Sequence, residues 1–307
     1  MIKHAVLSLS GGMDSSTLLL HLLMNKYQVT ALSFDYGQKH RIELERAVDL
    51  VEYLNGCCQK YIDGEQGEGV YHNFHPIKHQ IIKLDGLSNL LVSGLVDNES
   101  MEMKTGHYAH ENALTTVVPN RNAIFASITY AVALSIVKKT GESCHISLGT
   151  HMGDFDNKKQ SGIYPDCSEE FKVALEHAFK IGNWDSEKVD YYAPYNTIDK
   201  TGVLSDGVKN CEKLGLDYKE IYKRTNTSYA PIKSKFKTDV GFPYWEWLSD
   251  YKSGASIERI ESFTKLGLED PVQYAEEDGT LVSWKFVKKY VENVCKEWEQ
   301  NNINLKK

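Results

Sequence analysis

Short apolar runs alternate along the chain with segments whose apolar positions recur every three to four residues. HAVLSLS (4–10), QVTALSF (28–34), CQKYID (58–63), SCHISLG (143–149) and KVDYYAP (188–194) have the length and side-chain types of strands. Between them, Leu44, Ala47, Val48, Val51 and Leu54 draw one stripe down a helix over 40–55. Phe171, Ala174, Leu175, Ala178 and Phe179 do the same over 168–181. This alternation predicts an α/β fold built on a doubly wound parallel sheet.

Two stretches break the rhythm. Residues 64–118 are polar, rich in His, Gly and Asn, and read as an insertion over one end of the sheet. From about residue 225 the alternation stops and RTNTSYAPIKSKFKTDVGFPYWEWLSDYKSG is irregular, basic and aromatic. Trp284, Val287, Val291, Val294 and Trp298 then mark one face of a closing helix. The expected organisation is one domain over 1–230, with its insertion at 64–118, and an aromatic, helical C-terminal subdomain over 231–307.

Composition narrows the classes. With 307 residues, 41% hydrophobic and 25% charged, the chain sits in the ordinary globular range. A net charge of −7 argues against a broad electrostatic grip on nucleic acid; Lys233, Lys235 and Lys237 are the concentrated basic stretch. No apolar run approaches the ~20 residues of a membrane span, so no membrane partner is expected. The start, MIKHAVLSLSGG, runs straight into polar loop chemistry rather than a cleavage signal. Six cysteines without a CxxC pair suit a reduced, cytoplasmic protein. His72, His75, His79, His107 and His110 could supply a metal set, but scattered histidines on a polar loop are the plainer reading.

Chemistry concentrates at Ser10-Gly11-Gly12-Met13-Asp14-Ser15-Ser16. A strand ending here, with a helix from about Asp14, aims backbone amides at one spot and makes an anion site. Ser10, Ser15 and Ser16 add hydroxyls, and Gly11 and Gly12 allow close backbone approach. GxxxxGK[ST] and GxGxxG are both absent, so the loop lacks the lysine that grips β- and γ-phosphates. A glycine turn with Asp14 as helix cap is the competing structural reading.

S-G-G-x-D-S resembles the PP-loop of ATP pyrophosphatases. Behind it follow, in order, DYGQKH (35–40), RNAIF (121–125), G-x-x-x-x-D-F (149–155), YPDC-x-x-x-F (164–171) and IDKT (198–201). This ordered set, over roughly residues 3–230, resembles the 7-cyano-7-deazaguanine synthase (QueC) family. The resemblance implies an N-type ATP pyrophosphatase fold, ATP with Mg²⁺, and a carbon–nitrogen ligase. Family members adenylate 7-carboxy-7-deazaguanine, capture the adenylate with ammonia, and use a second ATP to dehydrate the amide to the nitrile preQ0.

The resemblance also implies roles for residues. Ser10, Gly11, Gly12, Met13, Asp14, Ser15, Ser16, Ser33, Gly149 and Lys200 would contact ATP, with Asp14 organising Mg²⁺. Asp14, Arg121 and Lys200 would be catalytic, the two cations neutralising charge as pyrophosphate leaves. Tyr36, Gln38, Arg121, Asn122, Asp154, Tyr164 and Asp166 would surround the substrate. A guanine-like edge asks for a carboxylate, Asp166 or Asp154, and Tyr164 suits stacking. The structural alternatives are an ion pair for Arg121, a helix cap for Asp166, a solvated first-turn lysine for Lys200 and lid packing for Tyr36.

The chain departs from the family pattern near its end. The nitrile synthases carry one zinc cysteine in a T-C-Y context and three in a C-x-x-C-x-x-C run. Here the first context reads Thr227-Ser228-Tyr229, and Ala255, Glu258 and Glu261 fall near the run. No zinc site is expected, and Phe242, Tyr244, Trp245 and Trp247 with the closing helix would hold the region instead. QueC-like relatives also occur in bacterial antiviral operons. The departures suggest transfer of the activated deazaguanine to an amine of a partner protein; preQ0 synthesis is the alternative, and a homodimer is compatible with either.

Overall fold

The apolar runs pair into one parallel sheet. The computed structural model describes residues 2–62, 74–96, 106, 114–152, 155–156, 161–162, 164–237 and 243–305. Among them, β1 (Lys3–Ser8), β2 (Tyr27–Asp35), β3 (Lys78–Lys83), β4 (Cys144–Leu148) and β7 (Val189–Tyr191) form a five-stranded sheet in the order β3-β2-β1-β4-β7. Every pairing in it is parallel, with Leu7 beside Ala31 on one side and Ser147 on the other. Two-residue strands β5 (Phe155–Asp156) and β6 (Ser161–Gly162) make a separate antiparallel ladder between β4 and β7.

Helices cover both faces. In β1, Ala5 and Leu7 face a core shared with α1 (Met13–Met24) and α2 (Ile42–Ile62), joined by α5 (Lys200–Leu214). Val6, one residue out of phase, faces α3 (Arg121–Thr140) and α4 (Glu169–Gly182). The helix α1 is apolar almost all round because it lies between sheet and α5. Its Leu18, Leu19, Leu20, Leu22 and Leu23 are all fully buried, each contributing about 1.5–3 kcal/mol relative to exposure. By length and composition α3 could cross a membrane, which the sequence reading did not anticipate. Here its Phe125, Ala126, Tyr130, Ala133 and Val137 pack on the sheet.

Of residues 58–63, expected as a strand, 58–62 instead finish α2, and 63 lies outside the described residues. Leu50, Leu54 and Cys58 recur every four residues and stay buried, so the helix simply continues. The third strand comes from 78–83, inside the supposed insertion. It is an edge strand with mostly exposed positions, so its apolar signal is weak.

Beyond α6 (Tyr218–Tyr222), an antiparallel hairpin of β8 (Ile232–Lys237) and β9 (Pro243–Leu248) leads to α7 (Gly254–Lys265). The short pair β10 (Tyr274–Ala275) and β11 (Leu281–Val282) precedes α8 (Trp284–Leu305). Among the hairpin aromatics, Trp245 is 59% exposed rather than part of the expected core; Phe242 and the side chain of Tyr244 lie outside the described residues. Tyr251, Ile257, Ile260, Tyr274, Val287 and Val291 form that core instead. Trp284 and Val294 pack against them, as the closing-helix reading expected, whereas Trp298, 39% exposed, lies outside that cluster.

The chain leaves β1 toward β2 on one side and later returns to β4 on the other. That reversal opens a crevice beyond the carboxyl ends of β1 and β4, where open parallel sheets bind ligands.

Candidate functional site

The loop after β1 keeps its shape through its glycines. Gly11 has φ +86°, and a Cβ there would stand 2.0 Å from the Glu43 carbonyl oxygen. Gly12 is the N-cap of α1, and no side chain caps the helix; the first-turn amides therefore face the crevice. Ser10 Oγ accepts from Gly12 N at 3.2 Å and lies 2.9 Å from Ser15 Oγ. Gly149, just past β4, presses against the same turn: a Cβ would meet Ser15 N and Cα at 2.9 Å.

Asp14 is not a cap. Its Oδ2 lies 3.4 Å from Lys200 Nζ and 3.9 Å from His151 Nε2. Among the described residues its buried Oδ1 has no hydrogen-bond partner, nor has Ser16 Oγ. Lys200 opens α5, whose own cap is Asp199, accepting from Gly202 N at 2.8 Å. Rather than solvated, Lys200 is buried and donates to Glu258 Oε2 at 2.6 Å. An ammonium between two carboxylates, beside an uncapped helix end and two unpartnered oxygens, fits a polyphosphate with its Mg²⁺.

Arg121 opens α3, after Asn120 in a left-handed conformation at φ 56°. Burial lowers its pKa, but Tyr36, Tyr229 and Asp166 outweigh that and raise it. Burial raises Asp166, with Arg121 opposing. Asp166 is not the cap of α4; Ser168 is, accepting from Phe171 N at 3.1 Å.

One cavity of ≈ 330 Å³ runs through the crevice, within the size range of small-ligand sites. Ser10, Gly12, Met13, Asp14, Ser15, Gly149 and Lys200 line it, together with Tyr36, Gln38, Arg121, Asn122 and Tyr164. Gln38 reaches the wall with its amide already used: Oε1 accepts from Tyr36 N and Nε2 donates to Phe34 O. Tyr36 packs its ring against Phe125. Gly11, Ser16 and Asp166 stand behind the lining.

Ser33 is not brought to the cavity. The strand pleat turns Phe34 inward, while Ser33 Oγ donates to Leu9 O at 2.6 Å and meets His79 Nε2 at 2.8 Å. Asp154 lies outside the described residues. Of the histidines suggested for metal, His79 is committed to Ser33 and His75 is exposed. His72, His107 and His110 fall outside the described residues.

The sequence reading missed His40 and Glu43, three residues apart at the start of α2. Both line the cavity, with His40 Nε2 3.5 Å from Glu43 Oε2. Burial pushes the Glu43 carboxyl up to about 8. Burial, then Arg121, push the His40 imidazole down to about 4. Their signal was the i, i+3 spacing from His40, the last residue of DYGQKH, to Glu43. Glu258 and Asp250, also on the wall, come from the region where alternation had stopped.

The family described as Queuosine biosynthesis protein QueC matches residues 4–237. The chain belongs to the QueC family. A protein named 7-cyano-7-deazaguanine synthase 2, from Colwellia psychrerythraea, is 33% identical over 89% of this chain and 100% of its own length. A 7-cyano-7-deazaguanine synthase from Methanoregula boonei is 33% identical over 88% of this chain and 98% of its own.

Within the QueC pattern, Ala255, Glu258 and Glu261, the positions set against the thiolate run, have separate surroundings. Ala255 lines the cavity, Glu258 holds Lys200, and Glu261 pairs with Lys265 at 2.8 Å. The side chains that converge with Ser228 are Asp250, Ser253 and Ser256, which repeat the three-residue spacing as D-x-x-S-x-x-S.

Proposed function

We propose that this chain is an ATP-dependent, QueC-type enzyme. It makes 7-cyano-7-deazaguanine from 7-carboxy-7-deazaguanine, ammonia and ATP in the cytoplasm. One observation carries the reading: a single cavity joins the anion loop, Asp14 and Lys200 to Arg121, Tyr36 and Tyr164. The full-length likeness to proteins named for this synthesis supports it.

The residues divide the work. The uncapped start of α1, with Ser10 and Ser15, would hold the polyphosphate while a substrate carboxylate oxygen attacks the α-phosphorus. The bond from Pα to the bridging oxygen breaks and pyrophosphate departs toward Lys200. Mg²⁺, held through Asp14, would supply further positive charge to that leaving group. Ammonia then expels AMP and leaves the amide. In the second cycle the amide oxygen attacks Pα and departs in AMP, while nitrogen loses two protons and becomes the nitrile. Glu43, protonated near neutrality, and neutral His40 offer a donor and an acceptor 3.5 Å apart for such transfers. Arg121 would anchor the substrate carboxylate, and Asp166 behind it would steady the guanidinium.

Transfer to a protein amine was suggested by the missing thiolates. Their replacement by a set of oxygen donors accounts for that absence without a changed nucleophile. The test is incubation with ATP and the acid, with and without ammonia, following AMP, pyrophosphate and product mass. Acid-dependent AMP and, with ammonia, the nitrile mass are expected. AMP formed without the acid, or no amide or nitrile in ammonia, would overturn the reading.

A further inference from the structure

Four side chains from two separated segments meet beside the cavity. Ser228, Asp250, Ser253 and Ser256 are each more than nine-tenths buried. Asp250 Oδ1 accepts from Ser228 Oγ at 2.6 Å, Ser253 Oγ at 2.8 Å and Ser256 Oγ at 2.9 Å. Its Oδ2 accepts from Lys252 N at 2.7 Å and Ser253 N at 2.5 Å. The Asp250 amide in turn donates to Ser228 Oγ at 3.3 Å.

The chemistry of this set does not suit zinc. Zinc takes thiolate, imidazole or carboxylate donors, and only one of these four is of that kind. Serine hydroxyls keep their protons, so the set carries a single negative charge. The lone pairs of the carboxylate are already spoken for. A carboxylate offers about four acceptor directions, and five donors point at Asp250. Calcium would ask for 6–8 oxygens at ~2.3–2.6 Å, which four mutually bonded groups do not offer.

We infer that Asp250, with Ser228, Ser253 and Ser256, is a metal-free cross-link that does the mechanical work of a tetrahedral metal centre. Three hydroxyls converge on one carboxylate oxygen, which takes the place of an ion as the common centre. The link spans 22 residues between Ser228 and Asp250 and carries on into the start of α7. It thereby fixes the wall formed by Asp250, Ser253 and Gly254 and the approach of Glu258 to Lys200. The inference stands whatever substrate the cavity takes, because its readouts are metal content and stability.

The full chain, expressed with added zinc and desalted, should carry substoichiometric zinc and melt at one temperature with or without a strong chelator. Asp250→Ala should lower the melting midpoint by roughly 5 °C or more, and Asp250→Asn, which keeps an acceptor, by less. The combined variant S228C/D250C/S253C/S256C should bind one zinc per chain and become chelator-sensitive. Stoichiometric zinc in the unaltered chain, a chelator-induced drop in its melting midpoint, or an Asp250→Ala variant that melts like the unaltered chain would overturn the inference. So would a folded four-cysteine variant that takes up no zinc. If that variant does not fold, the unaltered chain and the two Asp250 variants decide.

Discussion

Nζ of Lys200 lies 2.6 Å from Oε2 of Glu258, so a carboxylate from α7 holds the cation that opens α5. Asp14, from the loop, approaches the same ammonium at 3.4 Å. Loop, α5 and the C-terminal region thus share one charge. Lys200→Met should lower kcat/KM for pyrophosphate release at least ~100-fold, the scale of losing one charge-stabilising group. Glu258→Gln frees the ammonium for phosphate, and the ATP KM should fall roughly 10-fold, as expected for releasing a hydrogen bond between charged groups of about 1.5 kcal/mol. A rise in ATP KM for Glu258→Gln would show that the glutamate positions the lysine rather than competing for it.

Gly149 abuts the first turn of α1, 2.9 Å from Ser15 N by its absent Cβ. Gly149→Ala must push β4 and the loop apart. We expect a stability loss of about 1–3 kcal/mol, read by denaturant unfolding, and at least a ~10-fold loss in kcat/KM for ATP. An alanine variant with ordinary ATP kinetics would mean that the loop tolerates the shift.

Glu43 and His40 give stability a pH signature. Glu43, raised from 4.5 to about 8, favours folding below its unfolded pKa, and that contribution is lost as pH rises toward 8. His40, lowered from 6.5 to about 4, acts in the opposite sense between those values. The two therefore offset each other up to pH 6.5. From 6.5 to about 8, Glu43 acts alone, and stability should fall by on the order of 1–2 kcal/mol. Glu43→Gln should flatten that limb in chemical unfolding measured across pH. An unchanged slope in the variant would assign the titration elsewhere.

Arg259 is fully buried and has all its N–H groups engaged. Nε and Nη2 form a forked pair with Asp270 at 2.6 and 2.9 Å; Nη1 donates to Thr225 Oγ1 and Thr227 Oγ1, and Nη2 also to Tyr222 O. Arg259→Leu leaves Asp270 uncompensated and should cost about 3–5 kcal/mol. Adding Asp270→Leu should recover part of that loss, measured as a double-mutant cycle in unfolding free energy. Strict additivity would mean that the pair is not coupled.

Most of the sheet was legible because β1, β2 and β4 are buried strands with continuous apolar runs, and α1 must begin where Gly11 and Gly12 end. The third strand was not legible. It lies at the sheet edge, where exposed Lys78, Gln80 and Lys83 erase the alternation, while Cys58 continues a helical stripe. Ser10, Gly12, Met13, Asp14 and Ser15 line the cavity because their spacing fixes them to one turn, with Gly11 and Ser16 behind them. Ser33 does not, because a single-residue phase in a strand reverses its side. Glu258 was beyond reach because Lys200 lies 58 residues away, and Asp250 because Ser228 lies 22 residues away and its nearer polar partners leave no periodic trace.

The centre built on Asp250 also has a chemical temperament. Thiolates climb an oxidation ladder and release their metal as they do so; hydroxyls and a carboxylate have no such ladder. Peroxide should leave this corner of the molecule unchanged, with the melting midpoint of the exposed protein as the readout. The same corner asks nothing of the cell's metal supply, so the cavity wall is complete once the chain has folded.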